Sequence, residues 1–485
     1  MSSVVARLLA ILAGGLAVAG FAPLAWLPVA PLSLLLLLAL CQRAASAGAA
    51  AWLGWYWGLG CFLGGVSWVY VSMHDVCGMP ALLAAMATLL FCAYLALYPA
   101  FAVWLARHLA SGNAGADALA CAGAWTLGEW LRGTLLTGFP WLALGYSQAP
   151  PSPLAGFAPL LGVYGLSFLV VFAAALLLRL KTRGALAVAV LVAAGSALTR
   201  VAWTDAGGAP LEVSLLQGNI EQSLKWEAQR QAASLATYAR LARAHPAQLT
   251  VLPETALPLF LDQAPPAYLA ELTTHGEVLA GVVLRDSGGR YFNGGVLLHA
   301  GTAGASYSKS HLVPFGEFVP PGFSWFLGLM HIPMSDFSAG PARQALLAVA
   351  GQSIAPNICY EDLFGEEIIH ALPQATLLVN LSNTAWFGAS LAQAQHLQIA
   401  QLRALEAGRT MLRATNTGMT AVVGPDGVVQ AALPAFVADA LSARVQGYAG
   451  ATPYARLGNS LILLLTIAAL LPAAWRRRRG RAESR

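Results

Sequence analysis

Three reactive side chains each follow an apolar run of the sequence: Glu254 follows LTVLP, Lys309 follows ASYS, and Cys359 follows SIAPNI. Such runs are typical of buried strands, and the active sites of α/β sheets lie where strands end. A carboxylate can take the proton of a thiol, and an ammonium can stabilise both the thiolate and the oxyanion that forms when it attacks a carbonyl. Taken singly, Glu254 and Lys309 would be surface charges, but together with Cys359 they favour a nucleophilic site.

Cys359 stands between a predicted strand and a helix predicted over 363–371, the position that nucleophiles occupy on sharp turns. An unpaired thiol there is either an inert core residue or a nucleophile. Cys359 has no expected partner in its own domain, because the other cysteines all lie in the apolar N-terminal half: Cys41, Cys61, Cys77, Cys92 and Cys121. Acidic neighbours raise a thiol pKa, whereas Lys309 and a helix N-terminus lower it, and the sequence leaves the balance open.

The composition predicts a membrane protein with a large water-soluble insert. Of the 485 residues, 58% are hydrophobic and 10% are charged, whereas a soluble domain carries about 25% charged residues. Before Thr204 the only acids are Asp75, Asp117 and Glu129, while charges are frequent from Asp205 onward. Apolar segments near the ~20 residues that span a bilayer predict eight spans, at 5–20, 24–41, 49–71, 81–106, 114–131, 155–178, 185–202 and 457–475.

The basic residues of the loops predict the orientation of these spans. With eight spans, Arg7, Arg43, Arg107, Lys181 and the arginines of 476–479 all fall on one side, and basic loops face the cytoplasm. We therefore expect a multi-pass protein of a bacterial inner membrane with both termini cytoplasmic. The predicted domains are 1–204 with spans one to seven, 205–450 on the periplasmic side, and 451–485 with the last span and a basic tail. The sequence contains no basic patch with interleaved aromatic residues, and it therefore gives no indication of nucleic-acid binding.

Two charged residues near the end of the fifth predicted span lie at helical i, i+3 spacing, Glu129 and Arg132. Ionisable groups within a span are candidates for function. The simpler interpretation is a pair that satisfies itself, with the Arg132 side chain reaching the membrane interface.

The insert alternates strands and helices, which predicts an α/β domain with a mixed sheet. Strands are expected at 211–217, 249–254, 278–284, 292–300, 305–309, 353–359 and 376–382, and the final strand at 428–433. The longer helices are expected at 226–244 and 391–408. The histidines of the second half, among them His311, His331, His370 and His396, show no metal-binding spacing, and no cofactor is indicated.

Several motifs carry a resemblance to a known family. VLPET with Glu254, YSKSHLVPFGEFVP with Lys309 and NICYED with Cys359 resemble the Glu–Lys–Cys signature of the nitrilase (carbon–nitrogen hydrolase) superfamily. Within an insert between membrane spans, LQGNIEQSLKW, LVPFGEFVP, ICYED and SNTAWFG are similar to the bacterial apolipoprotein N-acyltransferase family. The resemblance covers nearly the whole chain, although Thr384 stands where the family usually has an acidic residue. It implies an inserted α-β-β-α sandwich.

The resemblance also implies roles for individual residues. Glu254 would be the general base, Lys309 the oxyanion stabiliser, Cys359 the nucleophile, and Glu317 a second carboxylate that holds Lys309 in place. The supporting or substrate-binding residues would be Tyr360, Glu361, Trp226, Asn293 and Trp386. The two tryptophans would belong to loops near the acyl chain, but packing in the core is an equally good reading of their pattern.

The sequence 318–337, FVPPGFSWFLGLMHIPMSDF, follows Glu317 directly and is rich in large apolar residues. An exposed loop of this kind would favour aggregation unless it meets lipid. A buried loop is the alternative, which the helix-breaking residues Pro320, Pro321, Gly322 and Pro333 disfavour. A lipid-seated loop would let a phospholipid ester reach Cys359.

Three functions are compatible with these features. The first, implied by the resemblance, is an acyltransferase that moves an acyl chain from a phospholipid, through a Cys359 thioester, to the α-amino group of a diacylglyceryl-cysteine apolipoprotein. The second is a membrane-tethered nitrilase-type amidase that uses water as the acceptor. The third is a multispan transporter with an inert head, for which Glu129 and Arg132 are the sole intramembrane candidates.

Overall fold

The computed structural model describes residues 2–221, 228–320, 322 and 336–483. The chain divides into two compact units. The first unit contains the chain up to Tyr70, Ala81–Val201 and the residues from Arg456 onward, and the second contains Val71–Pro80 and Ala202–Ala455. The short segment 71–80, which lies between the predicted spans 49–71 and 81–106, thus belongs with the insert.

The first unit is helical, because its segments are apolar on all sides and carry few residues that would interrupt a helix. In the part of the chain that the structure describes, four helical segments are long and apolar enough to cross a membrane: Ser3–Gly20, Ala81–Leu109, Pro153–Leu180 and Ser460–Arg477. Two shorter apolar helices are Val29–Gln42 and Thr182–Leu198. The Ala47–Val66 and Ala114–Thr134 helices coincide with two further apolar segments of the sequence.

Glu129 and Arg132 lie on the Ala114–Thr134 helix, and both hold the irregular segment that follows it. Glu129 Oε1 accepts hydrogen bonds from Trp125 Nε1 at 2.8 Å and from the Leu144 amide at 2.9 Å. Arg132 donates to the carbonyl of Phe139 at 2.7 Å and to that of Trp141. The prediction that Arg132 reaches the interface is wrong, since the residue is 3% exposed. Its guanidinium instead supplies hydrogen bonds to backbone carbonyls of a non-helical segment within the apolar unit, where no water is available to do so.

The second unit contains two β-sheets in its described part. Its strands are β1 (Asp205–Gln217), β2 (Leu249–Val251), β3 (Leu257–Phe260), β4 (Glu277–Arg285), β5 (Tyr291–His299), β6 (Thr302–Ser308), β7 (Leu347–Val349), β8 (Gln352–Ile358), β9 (Leu377–Ser382), β10 (Thr410–Thr415), β11 (Ala421–Val423), β12 (Val429–Ala432) and β13 (Asp439–Ala449). One sheet has the order β13-β1-β2-β4-β5-β6, with β3 beside β4, and the other has the order β12-β11-β10-β9-β8-β7. Both mix parallel and antiparallel pairs, as the sequence predicts.

Successive side chains of each strand point alternately to the space between the two sheets and to the space between a sheet and its helices. Apolar side chains from both sheets, such as Val213, Leu279, Ile358 and Leu412, form one cluster between the two sheets. The outer face of the first sheet packs against the Ala228–Ala244 and Pro266–Leu272 helices, and that of the second sheet against the Ala392–Ala407 helix. The layers are therefore α-β-β-α, the sandwich that the resemblance implies.

Two local predictions differ from the structure. The helix expected over 363–371 is broken into the short turns Cys359–Leu363, Gly365–Ile368 and Ile369–Ala371. The strand β13 was not predicted; it follows β12 along the chain, so the strand expected at 428–433 is not the last one of the domain. Residues of β13 pair with β1 along its length, from Asp205 opposite Ala449 to Gln217 opposite Asp439.

Candidate active site

Glu254, Lys309 and Cys359 meet because each follows a strand of one of the two sheets. Glu254 comes three residues after β2, Lys309 directly after β6, and Cys359 directly after β8. All three are buried, with exposures of 7%, 1% and 7%. Glu254 and Lys309 both lie near enough to Cys359 to shift the pKa of its thiol, Glu254 upward and Lys309 downward. The structure thus brings together the three side chains that the strand-end pattern selects.

Lys309 lies between two carboxylates. Its Nζ is 2.9 Å from Glu317 Oε1 and 2.8 Å from Glu317 Oε2, and 3.6 Å from Glu254 Oε1. A tight turn directs Glu317 back toward Lys309, with the Glu317 amide donating to the Val313 carbonyl and Glu317 Oε2 accepting from the Val313 amide. The neighbouring carboxylates raise the pKa of Lys309 against the opposing effect of burial, so that this side chain remains an ammonium.

Asn293 joins the two carboxylates. Its Nδ2 donates to Glu254 Oε1 and to Glu317 Oε1, each at 2.7 Å. The Asn293 carbonyl accepts a hydrogen bond from the Lys309 amide at 2.8 Å. Asn293 therefore fixes the spacing of Glu254, Glu317 and Lys309 from a rigid strand, β5.

Glu254 has a further anchor that the sequence analysis missed. Its Oε2 accepts a hydrogen bond from the Asn383 amide at 2.9 Å, and Asn383 directly follows β9. The Asn383 side chain accepts from Asn416 Nδ2 at 3.0 Å, and Asn416 also bonds to the backbone of Ile220. The rule that selected Glu254 and Cys359, a polar residue after an apolar strand, also selects Asn383.

Cys359 adopts a left-handed backbone conformation, with a φ of +51°. Such a conformation is strained for a residue with a side chain and is common at nucleophiles on sharp turns. Burial and the Glu254 carboxylate raise the pKa of the Cys359 thiol to about 12, although the Lys309 ammonium opposes this shift. These surroundings favour a protonated thiol, which needs a base to remove its proton.

Glu361 connects the nucleophile turn to the segment around Lys309. Its Oε1 accepts from Tyr307 Oη at 2.9 Å and from the Ser310 amide at 2.7 Å, and its Oε2 accepts from the Ile358 amide at 2.6 Å. Burial raises the pKa of the Glu361 carboxyl, and Lys309 and these backbone donors oppose that shift. Tyr360 is also buried, and its ring packs edge-on against Phe364 at 5.2 Å. Both residues therefore lie in the turn that carries the nucleophile.

A buried polar network behind the nucleophile was not predicted. Asp362 Oδ1 lies 2.7 Å from His396 Nε2, and Asp362 Oδ2 accepts from Arg413 Nη1 at 2.9 Å. The same Nη1 donates to Asn380 Oδ1 at 2.8 Å, and Asn380 Nδ2 donates to the Cys359 carbonyl at 3.3 Å. The network therefore holds the backbone of Cys359. The available sequence signal was a charged residue, Arg413, inside an otherwise apolar strand.

Of the remaining residues singled out in the sequence, the structure describes some and not others. Trp226 lies outside the described residues, as does most of the loop 318–337. Trp386 is half-buried in the Thr384–Phe387 turn that follows Asn383, and its carbonyl accepts from Ser72 Oγ at 2.7 Å. Thr384 is buried, with its Oγ1 3.4 Å from that of Thr417. Among the described residues, no cluster of three or more acidic, histidine or cysteine side chains could hold a metal ion.

The expectation that Cys359 is the one cysteine of its domain is wrong. Cys77 belongs to the 71–80 segment and hence to the second unit. Neither thiol forms a disulfide. The case for Cys359 as a nucleophile therefore depends on its surroundings, namely the strained turn, the carboxylate and the ammonium.

Comparisons with known proteins place both units. Residues 13–176 match the apolipoprotein N-acyltransferase N-terminal domain, and residues 212–454 match the carbon–nitrogen hydrolase family. An apolipoprotein N-acyltransferase of Nitrosomonas europaea is 49% identical over 95% of this chain and 95% of that protein. One of Ralstonia nicotianae is 48% identical over 98% of this chain and 94% of that protein. Since the similarity extends over nearly the full length, the chain belongs to the apolipoprotein N-acyltransferase family.

Proposed function

We propose that this protein transfers an acyl chain from a phospholipid, through a thioester on Cys359, to the N-terminal α-amino group of a diacylglyceryl-cysteine apolipoprotein. The observation that carries the proposal is the buried group formed by Cys359, Glu254 and Lys309 in a chain of this family. A thiol, a base and a fixed cation are the groups that acyl transfer through a covalent intermediate requires.

The first half of the reaction forms the thioester. Glu254 takes the proton of the Cys359 thiol, and the thiolate attacks the carbonyl carbon of the phospholipid ester. The oxyanion of the tetrahedral intermediate is stabilised by the Lys309 ammonium. When the intermediate collapses, the bond to the glycerol oxygen breaks, that oxygen receives the proton from Glu254, and a lysophospholipid leaves.

The second half transfers the acyl chain to the amine. The α-amino group of the apolipoprotein attacks the thioester carbonyl and gives a proton to Glu254. The intermediate then expels the Cys359 thiolate, which recovers that proton, and an amide is formed. Water could take the place of the amine, so exclusion of water from the thioester favours transfer over hydrolysis. The apolar sequence of the loop 318–337 suits it to this role at a lipid surface.

The surroundings of Cys359 support general-base activation of the nucleophile. A thiol whose pKa is raised to about 12 is almost fully protonated near neutral pH. Glu254 is held by Asn293 and Asn383 in a fixed orientation. Glu317 compensates the charge of Lys309, which leaves Glu254 available to accept a proton.

We further propose an arrangement with eight spans in the bacterial inner membrane. The support is the eight apolar segments and the concentration of Arg7, Arg43, Arg107 and Lys181 in alternate loops. Both termini are then cytoplasmic, and the sandwich lies on the periplasmic side, within 205–450 and the short segment 71–80. The domains 1–204 and 451–485 hold the spans.

A direct test compares two acceptors. The full-length protein is incubated with a phospholipid carrying a labelled acyl chain and a diacylglyceryl-cysteine peptide. The expected product is the peptide with the label in an amide bond, and the same peptide with an acetylated α-amine remains unlabelled. Release of the label as free fatty acid alone, with either peptide, would contradict the proposal and favour the amidase reading.

A further inference from the structure

A cavity of about 290 Å³ lies inside the first unit and takes no part in the proposed acyl transfer. The Val29–Gln42, Leu97–Leu109 and Ala158–Leu180 helices end beside it, and the Ala114–Thr134 helix begins there. Its polar lining consists of Gln42, Arg107, Asp117 and Arg179, and its walls include the apolar residues Leu38 and Leu178. Such a volume can hold a small polar group together with the start of an apolar chain.

Asp117 is fully occupied by partners within the unit. Its Oδ1 accepts from the Ser111 amide at 2.7 Å and from Ser111 Oγ at 2.9 Å. Its Oδ2 accepts from the Gly112 amide at 3.2 Å and from Arg179 Nη1 at 3.0 Å. The residue is 3% exposed. Asp117 therefore neutralises Arg179 and has no capacity left for a second cation.

Arg107 is the cation of the cavity that lacks this compensation. Its Nε is shielded from solvent and has no hydrogen-bond partner among the described residues. The guanidinium lies close enough to Cys41 to act on that thiol electrostatically, but a neutral thiol does not balance its charge. With two arginines and one aspartate, the lining carries a net charge of +1.

The ends of the helices do not account for this arrangement. Arg107 and Arg179 both lie in the last turn of a helix, where the helix dipole favours a cation. An arginine that extends into water would already gain from the dipole, so the dipole does not explain why Arg107 Nε is buried. A buried N–H donor without a partner costs free energy. An anionic ligand with several acceptor oxygens would remove the cost, and phosphate geometry suits a guanidinium.

We propose that this cavity binds the phosphate of an anionic phospholipid head group, with Arg107 as its principal ligand and Arg179 beside it. The apolar walls would receive the glycerol end of the lipid. The neighbouring basic residues Lys181 and Arg183 lie at the same ends of the helices, and basic pockets between spanning helices bind such head groups on the cytoplasmic side. The bound lipid is distinct from the acyl donor and stabilises the helical unit.

Native mass spectrometry of the full chain tests the proposal. The protein in detergent is incubated with phosphatidylglycerol or with phosphatidylcholine, and the retained lipid is counted. Wild-type protein is expected to retain at least about fivefold more phosphatidylglycerol, a preference that Arg107→Gln abolishes and Arg107→Lys partly restores. The matched control, Arg43→Gln, removes one exposed charge from the same end of the unit and is expected to keep the preference.

Other outcomes would overturn the proposal. If the wild-type protein retains the two lipids equally, the proposal is overturned, and this comparison requires no substituted protein. An equal loss in Arg43→Gln and Arg107→Gln would indicate surface attraction without a site. Inorganic phosphate is added in a further arm, and displacement of the lipid at equal concentration would assign the cavity to free phosphate instead.

Discussion

Lys309 Nζ contacts both carboxylate oxygens of Glu317, at 2.9 and 2.8 Å, but lies 3.6 Å from the nearer oxygen of Glu254. The ammonium is thus paired with one carboxylate and adjacent to another. This asymmetry separates the roles of the two acids. Glu317 holds the cation that meets the oxyanion, and Glu254, which Asn293 and Asn383 hold in place, is assigned the exchange of a proton with Cys359.

Replacing Glu317 by Gln should lower the rate of acyl transfer by about 10²-fold, because Lys309 would lose its charge partner and its position. The rate is measured with labelled phospholipid and acceptor peptide on protein that remains folded. The control is Glu271→Gln, which removes a half-exposed carboxylate and should leave the rate unchanged. A normal rate in Glu317→Gln would show that Lys309 is held without its partner.

Replacing Glu254 by Gln should have opposite effects on chemistry and on ionisation. Acyl transfer should fall by about 10²- to 10⁴-fold, since the general base is lost. The pKa of Cys359 should fall below its value of about 12, because a negative neighbour is removed. The pKa is read from the ultraviolet absorbance of the thiolate, as a difference from the Cys359→Ala protein. A higher thiol pKa in Glu254→Gln would contradict the assigned electrostatics.

Replacing Asp362 by Asn should destabilise the folded protein by about 3–5 kcal/mol, because Arg413 would remain buried with its charge unpaired. Thermal unfolding measures the loss. Asp262→Asn, at an exposed carboxylate, should change the stability by less than about 0.5 kcal/mol. Equal stability of the two variants would mean that the network behind Cys359 is not structural.

The stability of the protein should decrease on acidification partly through His396. Burial and Arg413 lower its pKa below the ordinary 6.5 in the folded state, although Asp362 opposes the shift. The unfolded state then binds the proton more readily, so this contribution is present above pH 6.5 and is lost as the pH falls through the folded-state pKa. His396→Gln should therefore show a shallower loss of unfolding temperature below pH 6.5. Parallel curves for the two proteins would exclude the effect.

The sequence predicts the site better than it predicts its support. Glu254, Lys309 and Cys359 were found because the ends of strands converge, a rule that requires no knowledge of side-chain contacts. Asp362 and Arg413 were not found, because their role depends on which face of a strand each occupies and on a helix contributed from elsewhere in the chain.

The missed strand β13 has a comparable physical cause. Its sequence contains Asp439, Ser442, Arg444 and Gln446, and it lies at the edge of its sheet beside β1. An edge strand buries few side chains, so its apolar pattern is weak. The pairing of β13 with β1, which is distant in the chain, then determines that this segment is a strand, and the local sequence pattern does not contain that information.

The central claim, an acyl-enzyme on Cys359, is tested most directly by mass spectrometry of the intact protein after incubation with phospholipid and without an acceptor. We expect the mass to increase by one acyl chain, the increase to map to the peptide that contains Cys359, and hydroxylamine to remove it. Cys359→Ala should show no increase. An unmodified wild-type protein, or an adduct that persists in Cys359→Ala, would contradict the account.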